Sequence, residues 1–303
     1  MEDALRMVEE GACSAWPLPT DPTCAGIARR LFRRAAGELA LDTSLADDGV
    51  TMISELAANT LHAHRASPEA GPELWFYLRG AGPLRELVCK VFDSYPGWLR
   101  TPAPGRAGQV PLDSMSGRGL DVVHEMSGGH WGYHLTRSRL GDYPVRGKAV
   151  WFAVPAGAAG AGTVPAGIVR AGTVPAGTVP AGIAGGRVRT SGVPGSAREA
   201  MAELEAALTA RGFEGNLVRA DDPAGDMAVL SLANGLSVWC RAGAAWLRAP
   251  GARGQRWGYA DLVEVAEQSV EAYETLAEDA EVAPFANATR TGALTLPKPT
   301  GNI

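Results

Sequence analysis

Apolar residues recur at helical spacing through Ile27, Leu31, Ala35 and Leu39, and again through Val50, Ile53, Leu56, Ala57 and Leu61. The first run follows Asp21-Pro22, a pairing suited to an N-cap and a first-turn proline. Its opposite side carries Arg29, Arg30, Arg33 and Arg34, read as a solvated face. The second helix is predicted from about Asp47-Asp48 to His64. Two strand-like runs follow, ELWFYLR (73–79) and LRELVCKVFD (84–93), joined by Gly80-Ala81-Gly82-Pro83 as a hairpin signal. Residues 97–116 are rich in Pro and Gly and read as a loop. A short helix from about Gly119 to Ser127 and strands around 130–136 and 147–154 complete the pattern. Helices segregated against a mixed, mostly antiparallel sheet predict an α+β two-layer sandwich.

A period of five then takes over: AGTVP, AGIVR, AGTVP, AGTVP, AGIAG from Ala161. It fits neither helix nor strand, and its small side chains bury too little area to offset the entropy of ordering, so a flexible linker is expected. Beyond it, Met201, Leu204 and Leu208 are spaced for a helix starting at Ser196. Strand runs follow at 227–232, 236–242 and about 245–247, with Asn234-Gly235 as a hairpin turn, then a helix from about Tyr259 to Ala280. The predicted division is 1–155, a linker over 156–195, a small α-β-β-β-α domain over 196–282, and a disordered tail over 283–303. The second domain contains no histidine, and its acids read as helix-face residues.

The net charge of −5 over 303 residues argues against a sequence-independent nucleic-acid binder. No stretch of 18 apolar residues suggests a membrane span. The acidic start MEDALRMVEE does not read as a secretory leader, so a cytoplasmic protein is expected. Cys13, Cys24, Cys89 and Cys240 show no metal-ligand spacing and are expected to be reduced thiols.

Candidate chemistry centres on Glu55-Leu-Ala-Ala-Asn59. One helical turn apart, Glu55 and Asn59 lie about 40° from each other around the axis, off the apolar stripe. An amide oxygen is a hard ligand suited to Mg²⁺ beside phosphates, and a carboxylate one turn away can take a proton. Asp93 ends an apolar strand, where a carboxylate can accept from the amino group of adenine; Gly97 follows in the turn. Gly117-Arg118-Gly119-Leu120 opens a helix, whose exposed N–H groups form a phosphate cradle. Gly147-Lys148-Ala149 feeds a buried strand.

The order of these pieces over residues 17–154 resembles the GHKL, or Bergerat-fold, ATP-binding domain, and within it the single-domain anti-sigma-factor serine kinases. The opening Leu18-Pro19-Thr20-Asp21, Ser54-Glu55-Leu56-Ala57-Ala58-Asn59 and Gly117-Arg118-Gly119-Leu120 carry the likeness. The resemblance implies that Asn59 holds Mg²⁺, Glu55 serves as base and Asp93 reads adenine. It also implies that Gly97, Gly117, Arg118, Gly119 and Leu120 shape the ATP pocket, with 98–116 as a lid. A family kinase passes the γ-phosphoryl group to a serine of a STAS-type anti-sigma antagonist and binds a sigma factor; the alternative is a non-catalytic ATP sensor or protein-interaction module. Homodimerisation stays open. The chain departs from the pattern at Tyr95, where the family has a glycine, and at Ala63, where it has a histidine. At Ala149 it lacks the threonine whose hydroxyl would join Asp93 around adenine.

Overall fold

The computed structural model describes residues 7–9, 11–66, 69–95, 117–157, 193–213, 216–222, 224–232, 235–250 and 254–282. The predicted loop and lid at 97–116, the whole pentad repeat with most of the 156–195 linker, and the 283–303 tail lie outside them.

Helix α1 (Cys24–Glu38) starts two residues after the predicted proline position, because Asp21 is spent locally. Its Oδ1 accepts from the Thr23 backbone N–H at 2.7 Å and from the Thr23 hydroxyl at 2.5 Å, closing a turn ahead of the helix. Helix α2 (Thr43–Ala66) begins four residues earlier than expected. Here Asp42 acts as the cap, accepting from Ser44 N–H at 2.9 Å and Ser44 Oγ at 2.7 Å. Strand β1 (Ser14–Pro17) was not predicted; four residues are too few to show a period. Strands β2 (Glu73–Arg79) and β3 (Glu86–Asp93), helix α3 (Gly117–Met126), and strands β4 (Trp131–Arg137) and β5 (Arg146–Pro155) fall close to their predicted places.

These strands form one sheet in the order β1-β2-β3-β5-β4, with every pairing antiparallel. Strand alternation assigns its faces. Leu74, Phe76 and Leu78, with Leu87, Cys89 and Val91, and with Val150, Phe152 and Val154, face α1, α2 and α3 in one core. Phe32 of α1 is its hub, with its ring 6.2 Å from Phe76 and 6.1 Å from Phe152.

The C-terminal region contains helix α4 (Ala197–Leu208), strands β6 (Val218–Asp221), β7 (Met227–Ser231), β8 (Ser237–Arg241), β9 (Ala244–Arg248) and β10 (Gln255–Gly258), and helix α5 (Leu262–Val282). The predicted three strands are five, ordered β10-β9-β8-β7-β6 and all antiparallel. The two extra strands have four residues each and are largely exposed, so hydrophobic periodicity could not reveal them. Helices α4 and α5 cover one face of this second sheet through Met201, Leu204 and Leu208 and through Leu262, Val265, Ala266 and Val270.

The two-layer expectation needs one correction. Helix α5 has a second buried side, and it lies against the face of the first sheet that α1–α3 leave open. Val263 joins Trp75, Tyr77, Val88 and Phe92 there, but much of the rest of the seam is ionic or hydrogen-bonded. Glu264, Glu267, Glu271 and Glu274 follow one another at spacings of three, four and three residues, the stripe of one helix face. Glu267 is wholly buried and accepts from Lys90 at 3.1 Å, Arg139 at 2.6 Å and Arg211. Glu274 takes Arg137 Nε and Arg146 Nε, each at 2.5 Å, and the Tyr77 hydroxyl donates to Glu264 at 3.2 Å. Arg211 arrives from the turn after α4, where Gly212 adopts φ +78°, and it also donates to Thr136 Oγ1 at 2.6 Å. The acids read from sequence as helix-face residues are therefore what joins the two halves.

Candidate functional site

Glu55 and Asn59 project from α2, held in place by Ile53, Leu56 and Ala57 on the buried side. The start of α3 comes directly onto them. A β-carbon on Gly119 would stand 2.8 Å from Glu55 Oε2 and 3.5 Å from Asn59 Nδ2, so the first turn of α3 lies directly against that pair. Leu120 and Val123 fix α3 by entering the core beneath. Gly117 and Arg118 form the first turn of the same helix, and Gly97 lies outside the described residues. Asn59 Nδ2 is buried yet has no hydrogen-bond partner among the described residues. A buried amide without a partner is costly, of order 1–3 kcal/mol, and marks a place where a polar ligand would be welcome.

Asp93 lies on the α2 side of the sheet, since it continues the Leu87, Cys89, Val91 alternation. It is 5% exposed, and it is not idle. Lys148 Nζ donates to its Oδ1 at 2.5 Å and to the Tyr95 carbonyl at 2.8 Å, while Tyr95 N–H donates to the same Oδ1 at 3.0 Å. Burial pushes the Asp93 carboxyl upward against the pull of Lys148, and burial likewise lowers Lys148 against the pull of Asp93. The register that pairs Asp93 with Lys148 also turns residue 149 away. Ala149 packs with Trp75 and Phe92 on the α5 side of the sheet. A hydroxyl at that position would not face Asp93, which corrects the expectation drawn from the missing threonine. Ala63 is buried, and His64 Nδ1 is buried with no partner among the described residues.

Sequence reasoning missed the polar cavity on the other side of the sheet. About 180 Å³ in volume, it is walled by Tyr77, Arg79, Lys90, His134 and Trp151 of the sheet and by Glu264 and Glu271 of α5. His134 Nδ1 faces the Leu135 carbonyl at 2.9 Å and its Nε2 faces Lys90 Nζ at 3.1 Å. Protonated Nδ1 and accepting Nε2 are the one arrangement that suits both neighbours. Burial, reinforced by Lys90, lowers its pKa to about 3, so His134 is neutral. The signal for this region was present as polar residues at alternate positions of otherwise apolar strands, with Glu73, Lys90 and His134 among them.

The four cysteines are free and buried. Among the described residues no group of three or more His, Cys, Asp and Glu side chains is arranged to hold a metal ion, and no helix is long and apolar enough to cross a membrane. Neither family models nor curated proteins gave a match to this chain. The described architecture defines a mixed α+β protein with two antiparallel sheets and helices packed on both.

Proposed function

We propose that the N-terminal half is a Bergerat-type ATP-binding module in a cytoplasmic regulatory protein of the anti-sigma serine kinase kind. The observation that carries this reading is the meeting of α2 and α3. The glycine at α3's first turn lies against an acid and an amide on α2, and the amide nitrogen is buried without a partner. The two ends of an amide exchange by a half-turn of its terminal bond, so Asn59 can present Oδ1 at that place to Mg²⁺. Bound Mg²⁺ would supply neutralisation of phosphate charge. The backbone N–H groups at the start of α3 suit the phosphates. In this reading Glu55 takes the proton from a partner serine hydroxyl, and Asp93 Oδ2 is the oxygen left for the adenine amino group while Oδ1 holds Lys148. Gly97 and Arg118 complete the pocket in this reading, and Leu120 supports the α3 turn from the core beneath. The partners are a STAS-type antagonist and a sigma factor.

Calorimetry with Mg-ATP, paired with transfer of labelled phosphate to STAS proteins, tests the proposal. The expected result is a Kd tighter than about 1 mM, weakened in Asn59→Ala, with transfer lost in Glu55→Gln. Equal affinity in wild type and Asn59→Ala would overturn it. The departure at Tyr95 motivates a second reading, ATP sensing without transfer. That version predicts stabilisation of the fold by nucleotide and no labelled product.

A further inference from the structure

The second sheet has one face under α4 and α5 and one face uncovered by any described residue. Alternation places Met227, Val229 and Ser231 of β7, Ser237, Trp239 and Arg241 of β8, Trp246 and Arg248 of β9 and Arg256 of β10 on that uncovered face. The register sets Trp239 directly opposite Trp246, and Trp246 directly opposite Arg256. The Arg256 guanidinium lies 5.5 Å from the Trp246 ring centre, and Trp239 Nε1 donates to Ser237 Oγ at 3.1 Å, fixing that indole. Trp239 is 37% exposed, unusual for so large an apolar side chain. The two indoles, Met227, Arg241 and Arg248 line an open groove of about 500 Å³. No strand residue on this face is a carboxylate, and Arg241, Arg248 and Arg256 form no ion pair among the described residues.

We propose that this face binds a single strand of nucleic acid, with bases stacked on Trp239 and Trp246 and phosphates held by the arginines. Flat aromatic platforms with cations around them are the shared chemistry of such surfaces. The placement of the cations selects a strand over a free nucleotide. Arg241 and Arg248 sit two residues beyond the indole pair in opposite directions, about 7 Å each way. Arg256 lies on the next strand, about 5 Å to the side. They do not converge on one phosphate but surround the indoles, as successive phosphates of a chain would require. The net charge of −5 argues against binding by the chain surface as a whole, so binding rests on the local charge of this one face, whose strand residues include arginines and no carboxylate.

The test uses the full chain and a labelled oligo-dT strand, followed by anisotropy and tryptophan fluorescence. Saturable binding with quenched tryptophan emission is expected. Its logarithmic salt slope should be near −2, from three contacts at about −0.7 each. Trp239→Ala/Trp246→Ala should weaken binding at least about ten-fold. Since Trp246 is partly buried, Arg241→Gln/Arg248→Gln serves as the independent variant, and it should flatten the slope by about 1.4. Asn59→Ala should bind the strand as wild type does, which separates this inference from the ATP reading. Absence of saturable binding at low salt overturns the proposal. So does binding that neither double variant changes, or displacement by polyglutamate as effective as by the strand, which would assign the face to an acidic protein.

Discussion

Replacing Glu267 with glutamine keeps the size and shape of the side chain and removes one charge. That charge is fully buried and neutralises Lys90, Arg139 and Arg211 together. The three cations around it hold the Glu267 carboxyl well below its ordinary range, although burial alone would raise it. Without the anion, three cations remain in a space from which water is excluded. Breaking a buried ion pair typically costs about 3–5 kcal/mol, since the surviving charge has lost its solvent and gained nothing. For a protein of this size that corresponds to a fall in Tm of about 6–20 °C. The effect should also be local. Among the described residues Val263 is the one fully apolar α5 side chain buried in the seam with the first sheet, so without the charge network little apolar attraction holds the halves together. Calorimetry of Glu267→Gln should therefore show two transitions where the wild type shows one, with amide protection lost first in β4 and α5. A loss below about 1 kcal/mol with a single transition would refute the reasoning, since the seam would then rest on something other than these charges.

Four further substitutions have defined outcomes. Burial pushes the Glu264 carboxyl up to about 7, so the folded state holds its proton more tightly than the unfolded chain does. Its contribution, on the order of 3 kcal/mol, is complete below about pH 4.5 and is lost as pH rises through 7; urea titrations should show stability falling over that window, and Glu264→Gln should remove most of the fall and be more stable than wild type at pH 8. Glu271 is raised to about 7 as well, but its side chain is 35% exposed, so solvent screens it and Glu271→Gln should change the profile less. Gly119→Ala puts a methyl group 2.8 Å from Glu55 Oε2, which a flexible side chain can avoid; the Tm should move little while Mg-ATP affinity by calorimetry falls about ten-fold. Gly49→Ala meets the Phe32 ring at 2.1 Å, inside the α1–α2 contact, and should cost about 1–3 kcal/mol by denaturant titration.

The order and type of the long elements were legible in the sequence because each has a face that must be buried, and periodicity reports that face directly. The same logic set Glu55 and Asn59 on one side of α2 and placed Asp93 at the end of a strand. Local chemistry was legible only in part: Asp21 was read as a cap and instead closes a turn with Thr23, while Asp42, which does cap α2, was passed over for Asp47-Asp48. The five-stranded second sheet was hidden by short exposed strands such as Val218–Asp221. Periodicity reports that a face is buried and is silent about what lies against it. Lys148 is adjacent to Asp93 only through the β3–β5 register, and Gly119 meets Asn59 only through the packing of α3 on α2. The α5 stripe is the sharpest case. Glu264, Glu267, Glu271 and Glu274 have the spacing of a solvated face, and a carboxylate leaves water only where cations from distant parts of the chain come to meet it. Those cations come from β3, from β4 and the residues just after it, from β5 and from the turn after α4, so tertiary structure alone could turn an acidic surface into the seam between two halves of the molecule.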